Sequence, residues 1–194
     1  MATQLAERIR HSFTVEDWYA LGRTGVLAAN YRGELLEGEI IDMPPIGSEH
    51  GGCVKWLAEF FHAKLGNRVI VSVQDPIRLG DFSEPQPDIV IARGREDFYR
   101  HNHPTPADIL LLIEVADRSL VYDRTIKGPL YARYGIPEYW LVNLSGRYLE
   151  CYRSPAATEY LDTSRHLPGE TLELRFAAQS DLPALSLPVA AVFG

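Results

Sequence analysis

The chain has 194 residues, 46% of them hydrophobic, which is enough for one well-buried core. Its 26 acidic and 19 basic residues leave a net charge of −7, excluding any general electrostatic attraction to a polyanion. The longest apolar runs, LLLI (110–113) and ALSLPVAAVF (184–193), fall well below the ~20 residues of a membrane-spanning helix, so a soluble chain without a membrane partner is expected.

The N-terminal MATQLAERIRHSF has no apolar core or small-residue cleavage site, and a cytoplasmic location is the resulting expectation. Thr14 with Asp17 forms a variant capping box, opening a short helix through Val15, Trp18 and Leu21 that Gly22 can end. YRGELLEGEIIDM has two extended halves about Glu37-Gly38, a hairpin that Pro44 and Pro45 stop. From Ser48, Val54, Leu57, Ala58, Phe61 and Leu65 recur at helical spacing, with Gly66 as terminator.

RVIVSV (68–73) reads as a strand, PIRL (76–79) extends it or pairs beside it, and DIVIA (88–92) is a short buried strand after a loop. A polar segment (93–107) leads to the strand DILLLIEV, a loop, and a helix around 126–134 ended by Gly135. EYWLVN and RYLECYR form a second hairpin about Ser145-Gly146. EYLDTS and TLELRF are further strands, and the Pro-bearing apolar tail is an arm packed on the body or on a partner subunit. Cys53 and Cys151 stand apart from each other and from any His/Cys cluster, which argues against a zinc site and a disulfide scaffold. Hairpins outnumber βαβ units, so the expected fold is α/β, bordering on α+β: a mixed sheet flanked by helices, in one domain spanning 1–194.

Three residues break the pattern around them. Asp88 opens the apolar strand DIVIA, Glu114 follows LLLI, and Lys127 lies on a helix face with Leu130, Tyr131 and Tyr134. Each has an ordinary explanation. Asp88 after a proline is a turn acid, Glu114 can pair with Arg124, Arg133 or Lys127 as a buried ion pair, and Lys127 can snorkel. Pro129 should lie in the first helical turn or kink it. Taken together, two carboxylates converging from adjacent strands make a hard oxygen site suited to Mg²⁺ or Mn²⁺. A lysine beside them can orient water or offset charge on a phosphoryl oxygen. Of Gln74, Asp75 and Arg78, just before Asp88, Arg78 is the candidate phosphate contact.

QPDIVIA, IEV and YDRTIKGPLYARYGIPEYWLV, preceded by GELLEGEI and a helix beginning SEHGGCV, resemble the Uma-two restriction endonuclease family of the PD-(D/E)XK nuclease superfamily. The resemblance runs from about Thr14 to Arg153, which implies a restriction-endonuclease-like core there and C-terminal strands and a tail over 154–194. It implies that Asp88 and Glu114 are metal ligands, with the Val115 carbonyl as a further one. The superfamily lysine is missing two residues after Glu114, where Ala116 stands, and Lys127 occupies the place from which this family supplies it. Glu34 in the first hairpin resembles an acid that can face the same metal, His50 matches a family position, and Tyr131, one turn after Lys127, could reach a phosphate. The implied activity is Mg²⁺-dependent cleavage of DNA. The alternative is a nuclease fold kept as a binding or interaction module, which the net charge favours. Exposed hairpin edges and the apolar tail are compatible with a homodimer.

Overall fold

Helix α1 (Val15–Arg23) begins where Thr14 and Asp17 cap each other. Asp17 N–H donates to Thr14 Oγ1 at 3.1 Å, and Thr14 N–H returns a bond to Asp17 Oδ2 at 2.9 Å. This computed structural model describes residues 11–177, 179 and 181–194, so most of the N-terminal stretch read for a targeting segment lies outside the described residues. By backbone proximity the chain divides into two units, Met1–Pro44 with Leu79–Pro85, and Pro45–Arg78 with Gln86–Gly194.

In the first unit α1 passes through Gly22 and ends at Arg23, one residue later than its glycine signal. Strands β1 (Gly33–Leu36) and β2 (Glu39–Asp42) pair antiparallel, with Glu34 opposite Ile41. Glu37 (φ 50) and Gly38 (φ 82) both take the left-handed region, as a two-residue turn matched to strand twist requires.

The second unit carries α2 (Ser48–Leu65), ended by Gly66 at φ 55, and a six-stranded sheet. Its strands are β3 (Val69–Val73), β4 (Ile89–Arg93), β5 (Ile109–Ala116), β6 (Glu138–Asn143), β7 (Tyr148–Ala156) and β8 (Glu159–His166), hydrogen-bonded in that order. Only β5 and β6 run parallel, so the sheet is mixed, as the hairpin-rich sequence predicts. The β5–β6 crossover is helical: α3 (Leu120–Tyr122), a π turn (Asp123–Lys127) and α4 (Gly128–Arg133).

Leu57, Phe61 and Leu65 of α2 pack with Ile89, Ile91, Leu111, Ile113 and Trp140 of the sheet. Residues 76–79 form no strand, because Gln74 turns the chain at φ 54 and Pro76 offers no N–H, although Ile77 is fully buried. The tail packs on its own chain. β9 (Thr171–Leu174) and β10 (Leu185–Pro188) pair antiparallel, α5 (Val189–Val192) follows, and Leu172, Leu174, Leu185, Leu187, Val189 and Val192 join the same core. Among the described residues no helix is long and apolar enough to cross a membrane.

Candidate active site

The β4–β5 ladder closes with Ile89 opposite Ile113, and β5 runs three residues further, to Ala116. Asp88 and Glu114 therefore stand at the same level, one on each strand, where the ladder opens. Both are buried, at 7% and 4% exposure. Asp88 N–H points to Glu114 Oε2 at 3.4 Å, and Val115 N–H donates to Asp88 Oδ2 at 2.9 Å. The Asp88 side chain thus takes the place of the next ladder acceptor, which keeps the Val115 donor from being orphaned.

Two further groups hold Asp88. Gln74 sits opposite it in the β3–β4 register, its N–H bonding the Asp88 carbonyl at 3.1 Å and its Nε2 donating to Oδ1 at 3.0 Å. His50, in the first turn of α2, places Nε2 3.0 Å from Oδ2, while its buried Nδ1 has no hydrogen-bond partner among the described residues. Burial is the largest single influence on the Asp88 carboxyl and pushes it up. The bonds and charge from His50, with the Val115 N–H and Gln74, outweigh burial and hold it below the ordinary value. The same bond raises His50 against the effect of its own burial, helped by the charges of Asp88, Asp117 and Asp123.

Glu114 is held from the crossover. Lys127 Nζ lies 3.1 Å from Oε1, and the Tyr131 hydroxyl donates to the same oxygen at 2.7 Å. Lys127 is 5% exposed, so the snorkelling alternative does not hold, and Arg124 bonds Glu150 while Arg133 is exposed. The helix begins earlier than its periodicity predicts and contains a π turn. Pro129 supplies a cause: it has no N–H for the Thr125 carbonyl, and its ring crowds that carbonyl. The turn widens instead, with Gly128 N–H reaching Asp123 O. Lys127 and Tyr131, four residues apart, then project together onto Glu114.

Asp88, Glu114, Lys127, His50 and Tyr131 are brought together, and Val115 joins them through its N–H. Tyr131 is both fully buried and bonded to Glu114, which joins its packing role to the site. Glu34 is a buried acid of the first unit, and only the resemblance brings it to a metal. Arg78 is half-buried, its N–H on the Pro104 carbonyl at 2.9 Å, and its phosphate role rests on the sequence alone. Gln74 is the residue that sequence reading passed over in favour of Arg78. Its signal is positional: it directly follows RVIVSV, where a paired strand places it opposite Asp88.

Two carboxylates at an open strand end fit a hard divalent cation. Among the described residues no group of three or more His, Cys, Asp and Glu is placed to hold a metal ion. A cation here would draw on backbone, water or phosphate oxygens as well, as Mg²⁺ commonly does.

No match was found among curated proteins. Among solved structures, the chain is similar to the crystal structure of "a putative nuclease belonging to DUF820" from Anabaena variabilis. The TM-score is 0.69 at 17% identity, covering 93% of this chain and 97% of that one, a likeness of fold. The sequence profile of the Uma2 family, described as "Putative restriction endonuclease", matches residues 16–190. That span takes in the first hairpin, both acids, the π turn and the C-terminal strands, and the chain belongs to the Uma2 family.

Proposed function

We propose that this protein is a Mg²⁺- or Mn²⁺-dependent endonuclease that hydrolyses phosphodiester bonds in DNA. The observation that carries the reading is the pairing of Asp88 and Glu114 at the open end of β4 and β5, with Lys127 bonded to Glu114. The family description and the nuclease-like fold support a nuclease acting on nucleic acid.

Asp88 and Glu114 would hold the cation, with the Val115 carbonyl as a further oxygen. When bound, such an ion supplies Lewis-acid charge at the phosphate. His50 and Gln74 fix the Asp88 carboxylate, and Tyr131 fixes that of Glu114. Lys127 orients the attacking water and offsets charge developing on the phosphoryl oxygens. A bond forms from the water oxygen to phosphorus as that water releases a proton to solvent, the bond to the leaving deoxyribose oxygen breaks, and that oxygen takes up a proton from solvent. A homodimer would bring two such sites to the two strands of a duplex.

The test is purified protein with Mg²⁺ or Mn²⁺ on plasmid and single-stranded DNA, beside Asp88→Ala, Glu114→Ala and Lys127→Ala. Cleavage lost in all three is expected; no cleavage by the wild-type protein would falsify the reading, and equal cleavage by Asp88→Ala would mean contamination.

One observation favours a second reading, a binding module of the same fold. The protein's own groups already engage both Asp88 oxygens and Glu114 Oε1, and the net charge is −7. Calorimetric Mn²⁺ binding that Asp88→Asn abolishes supports the nuclease. DNA binding indifferent to metal and never followed by cleavage supports the module.

A further inference from the structure

The register of the sheet aligns more than the two acids. Glu114 of β5 is opposite Leu141 of β6, Leu141 is opposite Glu150 of β7, and Glu150 is opposite Arg165 of β8. Residues directly opposite one another share a face of the sheet, so Glu114 and Glu150 stand on the same face two strands apart, about 10 Å. Both are buried.

The π turn spans this row. Lys127 bonds Glu114, and Arg124, three residues earlier, places Nε 3.0 Å from Glu150 Oε2 and Nη2 3.2 Å from the Tyr148 hydroxyl. Glu150 is itself fixed. The Tyr152 hydroxyl donates to Oε2 at 2.7 Å and Arg165 Nη2 to Oε1 at 2.9 Å. These bonds hold its carboxyl below the ordinary value against the opposing effect of burial. A π turn has poorer intrinsic geometry than an α-helix and depends on its surroundings to persist. The planar Arg124 fork, bonded in two directions, fixes that turn's orientation where a single point charge would leave it free to swing.

We infer that the Arg124–Glu150 pair anchors the π turn so that Lys127 is held on Glu114, making Arg124 a positioning residue for the nuclease reaction. The inference rests on the reading above for its catalytic meaning. Arg124 touches neither acid of the metal site. It sets where the lysine missing from position 116 is replaced.

The chain has three lysines, Lys55, Lys64 and Lys127, of which the first two are exposed and the third is buried. Reductive methylation of the metal-free full chain, read by mass spectrometry, therefore reports on Lys127 with two internal controls. In the wild type Lys127 should react far more slowly than the other two. In Arg124→Gln its rate should rise about tenfold or more as the turn opens locally, with Lys55 and Lys64 unchanged. On DNA, the same variant should lower kcat and leave KM unchanged. If Arg124→Gln fails to fold, Arg124→Lys keeps the charge without the fork and should show a smaller rise of the same kind. Lys127 protected as in the wild type in a folded Arg124→Gln variant overturns the inference, whatever the activity on DNA. The labelling needs neither metal nor DNA. A protein that cuts no DNA while Arg124→Gln exposes Lys127 defeats the nuclease reading and leaves the anchor standing.

Discussion

Lys127 Nζ and Glu114 Oε1 lie 3.1 Å apart with both residues about 95% buried, and the Tyr131 hydroxyl shares the same oxygen. Removing one charge leaves the other uncompensated in a buried site. Lys127→Met should cost ~3–5 kcal/mol of stability in the metal-free protein. Tyr131→Phe, which removes one bond to a charged acceptor, should cost ~1–3 kcal/mol. Urea unfolding measures both, and adding Glu114→Gln to Lys127→Met should recover part of the loss; a double variant as unstable as the sum would count against the pairing.

The His50–Asp88 pair gives a pH window. His50 is raised from 6.5, so its contribution is complete below that value and is lost as pH rises through the folded value. Asp88 is lowered from 3.8, so its contribution is complete above that value and is lost as pH falls through the folded value. The melting-temperature gap between wild type and His50→Ala should be widest between about pH 4 and pH 6.5 and narrow above it. A gap that does not change with pH would show that only packing is lost.

Gly38 has φ 82, and a Cβ there would stand 2.6 Å from Ser12 Cβ. Gly38→Ala should destabilise the first hairpin by ~1–3 kcal/mol, through strain and the displaced Ser12 together. Hydrogen exchange at the β1–β2 amides reads the effect, which should be confined to the first unit.

Burial pushes the Cys53 thiol up to about 12 and raises that of Cys151 as well. Neither should react with an aromatic disulfide reagent at pH 8 in the native protein, and both should react after denaturation. Fast labelling of one thiol under native conditions would place it at the surface.

What the sequence revealed follows from which signals are local. α2 was legible because its apolar positions repeat over 18 residues, and the hairpin at Glu37-Gly38 because turn chemistry is specific. Asp88 and Glu114 were legible as polar breaks in apolar strands. The π turn was not, since Pro129 reads equally as a helix start and as the cause of a widened turn within a longer helix. Gln74 was passed over because its partner is fixed by strand pairing, and the apolar tail was legible as a packed arm but not as to which body it packs on, because only packing against the rest of the core decides that.

The tail also bears on how the protein is made. Leu185, Leu187, Val189 and Val192 lie in the same core as α2 and the central strands, far later in the chain than Glu114 and Lys127. On a ribosome, Asp88, Glu114 and Lys127 are all synthesised before the residues that complete the core beneath them. The nascent chain therefore carries its acids and its lysine before it has the tail residues that fill out the core against which the sheet is held, so the alignment of the three side chains waits on that later packing.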